Sequence, residues 1–314
     1  MVDNRQQWKA WLYLSPAIVL LLVFTVWPIF NTIRMALLED YSGLMASGGA
    51  TFKFGFDNFK TVVDYRGFKQ CLGNTIWLCV LTVPISTVLA LLIAVALNSI
   101  KPLQKLLQTI YFLPYVTNSI AIGMVFAAMF NIIGLRSDGA QQMADTWGIV
   151  NNVIQFFGGE PKIWINQGSS YWANMTVMIV YIVWNALPFK ILVLLGGLQS
   201  INKQYYDAAK VDGTPRGRVL WRITVPLLSP MLAYVIITGF IGGFKEYSSI
   251  VGIFGENMGP PDDPGRLNTM VGMVYDAMER NKQGRASAAA LILFAIILAV
   301  TVFNNKVIKK LTHY

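Results

Sequence analysis

Long runs of apolar residues alternate along this chain with shorter polar segments. Six runs are long enough to cross about 30 Å of hydrocarbon as helices: 11–37, 71–97, 108–133, 171–197, 225–254 and 286–305. The pattern predicts an all-α polytopic membrane protein with six transmembrane helices in a single membrane domain, 1–314. The fifth run is expected to break or shorten near Gly242-Gly243. Pro28, Pro84, Pro114 and Pro188 fall inside runs, where neighbouring helices can satisfy the freed backbone groups.

Composition agrees with the pattern. Of 314 residues, 55% are hydrophobic and 13% charged, and the mean hydropathy is +0.51, too apolar for an ordinary soluble domain of this size. Placing both termini on one side of the membrane gathers twelve Lys and Arg there against Asp3, Asp207 and Asp212, while the other side holds ten basic and twelve acidic residues. Basic density is then about twofold higher on the first side, which the positive-inside rule assigns to the cytoplasm. The +9 net charge needs no nucleic-acid partner. The first run, about 27 residues without a convincing small-residue cleavage site, reads as a retained signal-anchor helix. Cys71 and Cys79, two helical turns apart, read as small packing residues rather than a disulfide or metal pair.

The inventory of catalytic groups is poor. The chain has no GxxxxGK[ST] phosphate loop, so ATP hydrolysis is not expected within it. Its single histidine, His313, is penultimate, which argues against a histidine metal cage or catalytic triad. No catalytic or metal-ligating residues are assigned.

Between the fourth and fifth runs lies a polar, basic island, 205–230. Residues 204–211 form a short helix candidate, Ala208 and Ala209 leave one face nearly bare, and Gly213 can end the helix in a left-handed turn. Pro215 suits the first turn of a second helix, on which Arg216, Arg218 and Arg222 follow before Pro226. A basic connector lying on an anionic membrane surface would share this general character.

The residues themselves resemble something more specific. Asp207-Ala208-Ala209, then Asp212-Gly213, then Ile223-Thr224-Val225-Pro226 resembles the coupling-loop signature of bacterial ABC-importer permeases: EAA, then DG, then a distal Pro. Asp207 stands where that family usually has Glu, and Thr214 where it usually has Ala. Tyr111-Phe112-Leu113-Pro114, Gly148-Ile149-Val150-Asn151, Gly196-Gly197-Leu198-Gln199-Ser200-Ile201 and Ala286-Ser287-Ala288-Ala289 extend the resemblance to the carbohydrate-uptake branch, permeases similar to the larger membrane subunit of the maltose importer. That protein's extra N-terminal helices and large external insertion are missing here.

The resemblance implies a type I importer transmembrane domain in the bacterial plasma (inner) membrane. It implies a second permease subunit, two ATPase subunits carrying the ATP and Mg, an extracellular solute-binding protein and a sugar substrate, with no cofactor in this chain. The loop 198–224 would be the cytoplasmic coupling loop, with Tyr206, Asp207, Ala208, Ala209, Asp212, Gly213 and Arg216 meeting the ATPase. Substrate contacts are expected from Asn118, Ser119, Trp184, Asn185, Phe244, Lys245, Glu246 and Tyr247. Interhelical hydrogen bonds are the alternative for the first four, and a salt bridge or simple hydration for the Lys245-Glu246 pair. Lys190, a charge inside the fourth run, receives no role; Gly239 and Gly243 form a GxxxG spacing that suits close helix contact. Residues 254–285, with Gly-Pro-Pro-Asp-Asp-Pro-Gly at their centre, are expected as an external linker or a contact for the solute-binding protein. A self-contained secondary transporter or channel is the competing class. It would need an inverted repeat, coupling carboxylates or a selectivity ring, and Glu246 is the only clear acid within the runs.

Overall fold

The computed structural model describes residues 7–100, 106, 109–110, 113, 115–138 and 141–311. The first described helix is α1 (Trp8–Ala36), whose apolar window is entirely unburied by the rest of the protein, as suits a helix in hydrocarbon. The chain, α1 included, divides into two compact units, Met1–Phe68 with Gly272–Ala295 and Lys69–Val271 with Ile296–Tyr314.

In the first unit, α2 (Gly43–Ser47) and α3 (Asp57–Asp64) follow α1, and the unit takes in the start of α13 (Gln283–Leu311). Asn58 is buried and donates from Nδ2 to the carbonyls of Ala36 at 3.0 Å and Leu38 at 2.7 Å, satisfying the end of α1 where its own ladder stops. Arg285 pairs with Asp40 at 2.7 Å, and the Gly43 N–H donates to Gln283 Oε1 at 3.0 Å.

The second unit is built on two long helices, α4 (Phe68–Ser99) and α7 (Tyr171–Ser200). Their hydroxyls are turned back on their own helices: Thr75, Thr82 and Thr87 each donate to the carbonyl four residues earlier, at 2.7 Å. A polar side chain can therefore sit in an apolar span without an orphaned proton. Ser170 caps α7 and Asn118 caps α5 (Ser119–Phe130) by accepting from backbone N–H groups. Tyr181 is fully buried in the core formed with Leu78, Met175, Met178, Ile250 and Leu267, and its hydroxyl donates to the Ser119 carbonyl at 2.5 Å. A second cluster joins Ala90, Ala94, Leu194, Leu195, Leu228 and Val235.

Among the described residues, four single helices, α1, α4, α7 and α13, are long and apolar enough to span a bilayer. The fifth predicted run is more broken than its apolar pattern suggests. α9 (Arg216–Leu227) and α10 (Ser229–Gly243) meet at a bend of 70°, and after a break at Phe244–Tyr247 the chain resumes as α11 (Ser248–Phe254). The expected interruption near Gly242-Gly243 is present: α10 ends at Gly243.

The third run ends its helix earlier than predicted. α5 stops at Phe130 because Asn131 adopts an extended backbone (ψ 159°), and its Oδ1 accepts from the Ile132 N–H and from Asn166 Nδ2. An antiparallel hairpin follows, β1 (Ile132–Asp138) paired with β2 (Gln141–Trp147), which is the departure from an otherwise all-α architecture among the described residues. β-branched Ile132 and Ile133 favour strand once the helix is broken. Tyr111, Phe112 and Pro114 lie outside the described residues.

Beyond the hairpin comes α6 (Ile149–Phe156), and after α11 the segment expected as a linker is ordered and partly helical, with α12 spanning Met270–Glu279. Within the second unit Asn74 donates to the carbonyls of Arg266 and Asn268, and Tyr171 donates its hydroxyl to Asn74 Oδ1 at 2.8 Å. The Arg266 guanidinium reaches the Ser169 carbonyl and Asn174 Oδ1.

α5 and α11 cross at Gly123 and Gly252. A Cβ on Gly123 would lie 2.7 Å from the Gly252 Cα, so only two glycines allow this approach. Gly252→Val is expected to force the helices apart at a cost of about 1–3 kcal/mol, the usual range for overpacking. Thermal-stability size-exclusion measurements should show a lower midpoint than for the parent.

Candidate functional site

Two features of the second unit carry most of the polar chemistry. The first is α8 (Lys203–Val211), the helix expected from 204–211. Asn202 caps it, accepting the Gln204 N–H at 3.0 Å. Its other end closes as a Schellman motif: the Gly213 N–H donates to the Lys210 carbonyl at 3.1 Å and the Thr214 N–H to the Ala209 carbonyl at 2.9 Å, with Gly213 at φ +64°. Tyr206 and Thr224 hydroxyls meet at 3.3 Å, tying α8 to α9.

The two alanines part company. Ala209 is buried against its own chain, and Ala208 is exposed. An open hollow of about 400 Å³ lies along this segment, lined by Asn202, Tyr205, Ala208, Asp212 and Ile223 among others. Tyr205, Val211 and Trp221 are exposed large hydrophobics, Val211 at 89%. The Lys210–Asp207 ion pair at 3.6 Å is solvent-exposed and contributes little.

The second feature is a cavity of about 270 Å³ among α4, α7 and α10, lined by Thr82, Ser86, Asn185, Phe189, Lys190, Thr238, Gly239 and Glu246 among others. Lys190 anchors its wall. It is only 4% exposed, and its ammonium donates to Ser86 Oγ at 2.7 Å, Thr87 Oγ1 at 2.9 Å and the Val83 carbonyl at 3.2 Å. α10 closes on this knot through its GxxxG pair: a Cβ on Gly239 would stand 3.3 Å from Lys190 Nζ, and one on Gly243 2.9 Å from Cys79 Sγ. Cys79 and Cys71 are both buried free thiols. Tyr115 stacks on Phe189 at 5.8 Å between centroids.

This architecture matches known proteins. The family described as "Binding-protein-dependent transport system inner membrane component" matches residues 86–313. The chain belongs to this family. It is a multi-pass inner-membrane permease of the ABC class. The Lactose transport system permease protein LacF of Rhizobium radiobacter is 30% identical over 300 residues, covering 94% of this chain and 91% of that protein. The Arabinooligosaccharides transport system permease protein AraP of Bacillus subtilis (strain 168) is 25% identical, with 94% and 87% covered. The sn-glycerol-3-phosphate transport system permease protein UgpA of Agrobacterium fabrum is 26% identical, with 97% and 96% covered. In fold, a chain of a bacterial alginate ABC transporter, solved in complex with alginate pentasaccharide-bound periplasmic protein, superposes with a TM-score of 0.76 at 23% identity, covering 99% of this chain and 97% of that one.

Within the permease, the residues expected to touch solute are dispersed. Asn185 and Glu246 line the cavity. Trp184 sits 5.0 Å from Phe126, Asn118 is spent as the α5 cap, and Ser119 offers its carbonyl to Tyr181. Phe244 is buried, whereas Lys245 is exposed and outside the cavity lining. Glu246 turns away from Lys245, accepting the Ser249 N–H at 3.3 Å, while its own carbonyl accepts the Thr269 hydroxyl. Tyr247 occupies the break before α11. The pair adjacent in sequence thus divides in space.

Lys190 is the cavity residue for which sequence reasoning had no role. The available signal was its charge inside an apolar run, since an ionised side chain near the bilayer centre costs about 2.5–3.5 kcal/mol and usually faces a cavity or partner. Its acceptors are neutral and most are also bonded within α4, so an apolar side chain of similar volume can replace it. Lys190→Met is expected to keep the thermal midpoint within a few degrees of the parent. Lys190→Glu would set a carboxylate among oxygen lone pairs and should abolish recovery of monodisperse protein in size-exclusion chromatography.

Proposed function

We propose that this chain is one of two membrane halves of an ATP-driven importer for a sugar or related polyhydroxylated solute. An extracellular solute-binding protein delivers the solute and two ATPase subunits hydrolyse ATP with Mg; this chain carries no cofactor. Both of its termini face the cytoplasm, in keeping with the distribution of basic residues. The observation that carries the coupling role is α8: a short, doubly capped helix displayed with exposed Tyr205, Ala208 and Val211.

In this reading α8 docks in a groove of the ATPase subunit, with Tyr206, Asp207, Ala208, Ala209, Asp212, Gly213 and Arg216 forming or shaping the contact. A lever must be rigid to transmit displacement. The Asn202 cap and the Schellman turn hold α8 at its ends, and the Tyr206–Thr224 contact links it to α9. Ala208 lets a partner approach the backbone, whereas Ala209 serves internal packing. Closing of the ATPase dimer then moves α8 and α9 together, and the 70° bend between α9 and α10 is where that motion would pass to the span lining the cavity.

The solute pathway is assigned to the cavity bordered by Asn185 and Glu246; Trp184, Asn118, Ser119, Phe244, Lys245 and Tyr247 remain candidate contacts outside its lining. The sugar class is supported by the names of the relatives, whose solutes include lactose and arabino-oligosaccharides.

Substitutions in the turn test the lever. Gly213→Val places a β-branched residue at φ +64°, where L residues are disfavoured by roughly 1–2 kcal/mol. It should reduce uptake at least tenfold while leaving the membrane subunits assembled. Ala208→Trp should lower co-purification of the ATPase without affecting thermal stability, whereas the same change at buried Ala209 should lower stability itself. Uptake, co-purification and thermal midpoint in one set of vesicles would check all three, and unchanged uptake in Gly213→Val would overturn the lever.

A further inference from the structure

Hydrogen-bond bookkeeping around the 270 Å³ cavity separates two classes of solute. Among the described residues Lys190 supplies its only cationic side chain, but an ammonium has three protons and all three are committed, to Val83, Ser86 and Thr87. The wall hydroxyls are committed as well. Thr82 donates to the Leu78 carbonyl, Ser86 to the Thr82 carbonyl and Thr238 to the Tyr234 carbonyl. What Thr82 and Thr238 have left to present is oxygen lone pairs.

Glu246 adds to the same bias. Ser249 and Tyr247 take part of its accepting capacity, and the carboxyl oxygens keep further lone pairs for a donor in the cavity. Asn185 is different: among the described residues its amide has no hydrogen-bond partner, so its NH₂ group, with the Tyr115 hydroxyl that also lines the cavity, supplies the side-chain donors of this wall. The cavity is therefore rich in acceptors and poor in donors.

A sugar hydroxyl both donates and accepts, so it can give protons to Thr82, Thr238 and Glu246 while Asn185 pairs with a ring or hydroxyl oxygen. A carboxylate, sulfonate or phosphate group only accepts. It would meet a wall of lone pairs and the Glu246 carboxyl, with one amide and one phenol hydroxyl to bind it, and unpaired buried polar groups are what make such mismatches costly. Phe189 and Tyr115 supply the apolar ring surface on which a sugar C–H face can pack.

We propose that this cavity takes a neutral, hydroxyl-rich solute and discriminates against anionic sugars and sugar phosphates. Glu246 is its principal specificity-determining residue. The inference rests on the reading of the chain as the solute-conducting half of a sugar importer. It makes Lys190 a positioning residue, holding α4 to α7, rather than a ligand for an acidic solute.

The test uses the whole complex in nanodiscs with its binding protein, measuring ATPase stimulation across a panel of neutral sugars (lactose, arabinose oligomers) and anionic ones (galacturonate, sn-glycerol 3-phosphate). The expected result is stimulation by a neutral sugar at concentrations at least tenfold below those needed for any anionic solute. Because the binding protein also selects, the same series is run with Glu246→Gln and with the isosteric Thr238→Val, keeping the binding protein unchanged. Glu246→Gln should raise the half-stimulating concentration of the neutral sugar about tenfold and narrow the gap to the anions; Thr238→Val should raise it about threefold. Stimulation led by an anionic solute would overturn the proposal. So would variants that assemble and respond as the parent does. Stimulation by neither class would remove the sugar-importer reading itself, and this inference with it.

Discussion

Inside hydrocarbon there is no water to satisfy a backbone or side-chain polar group, and nearly every local choice in this protein follows from that scarcity. The long spans are helical because the helix closes its own ladder. Where hydroxyls enter the spans, they return their protons to carbonyls one turn back, as Thr75, Thr82 and Thr87 do on α4. Where helices end, a side chain or glycine turn takes over, as Asn118, Ser170 and Asn202 do at N-termini. Backbone that leaves the helical path, between α10 and α11, lies beside a polar cavity that Glu246 helps to line.

The same scarcity explains the Lys190 knot. A buried ammonium is tolerable only if each of its protons finds an acceptor, and the one stretch of α4 that offers three is the turn from Val83 to Thr87 around Pro84. The hydroxyls can accept from Lys190 because they have already donated elsewhere. Gly239 then lets α10 pack onto the ammonium. Three helices are joined at one charge, and the cavity beside it inherits a lining whose donors are largely spent. Solute preference in this reading is a by-product of how the junction is satisfied.

At the other end of α7 the requirement is mechanical. A nine-residue helix is too short to be stable by itself in water, so its geometry depends on capping at both ends and on the Tyr206–Thr224 contact. That makes α8 a fixed feature of the chain rather than a flexible connector, with Val211 and Tyr205 held out on its surface.

Much of this was legible in the chain itself, wherever a property depends on near neighbours. Apolar run length determined the membrane class and the placement of α1, α4, α7 and α13, because span length is a local quantity. The α8 helix and its Gly213 turn were readable because caps and left-handed turns are set within a few residues. The GxxxG spacing also pointed to a real close contact. Tertiary structure alone decided the rest. Asn131 ended the third helix by pairing with Asn166, thirty-five residues away, so the run 108–133 overran its helix. Ala208 and Ala209 look alike in sequence, but only the packing of α8 shows which is covered. Lys245 and Glu246 are adjacent, yet the break after α10 exposes one and turns the other toward the cavity. Lys190 had no meaning until α4 brought it Ser86 and Thr87, more than a hundred residues earlier. Hydrogen-bond satisfaction depends on who arrives from afar, and a linear pattern records only what each residue needs.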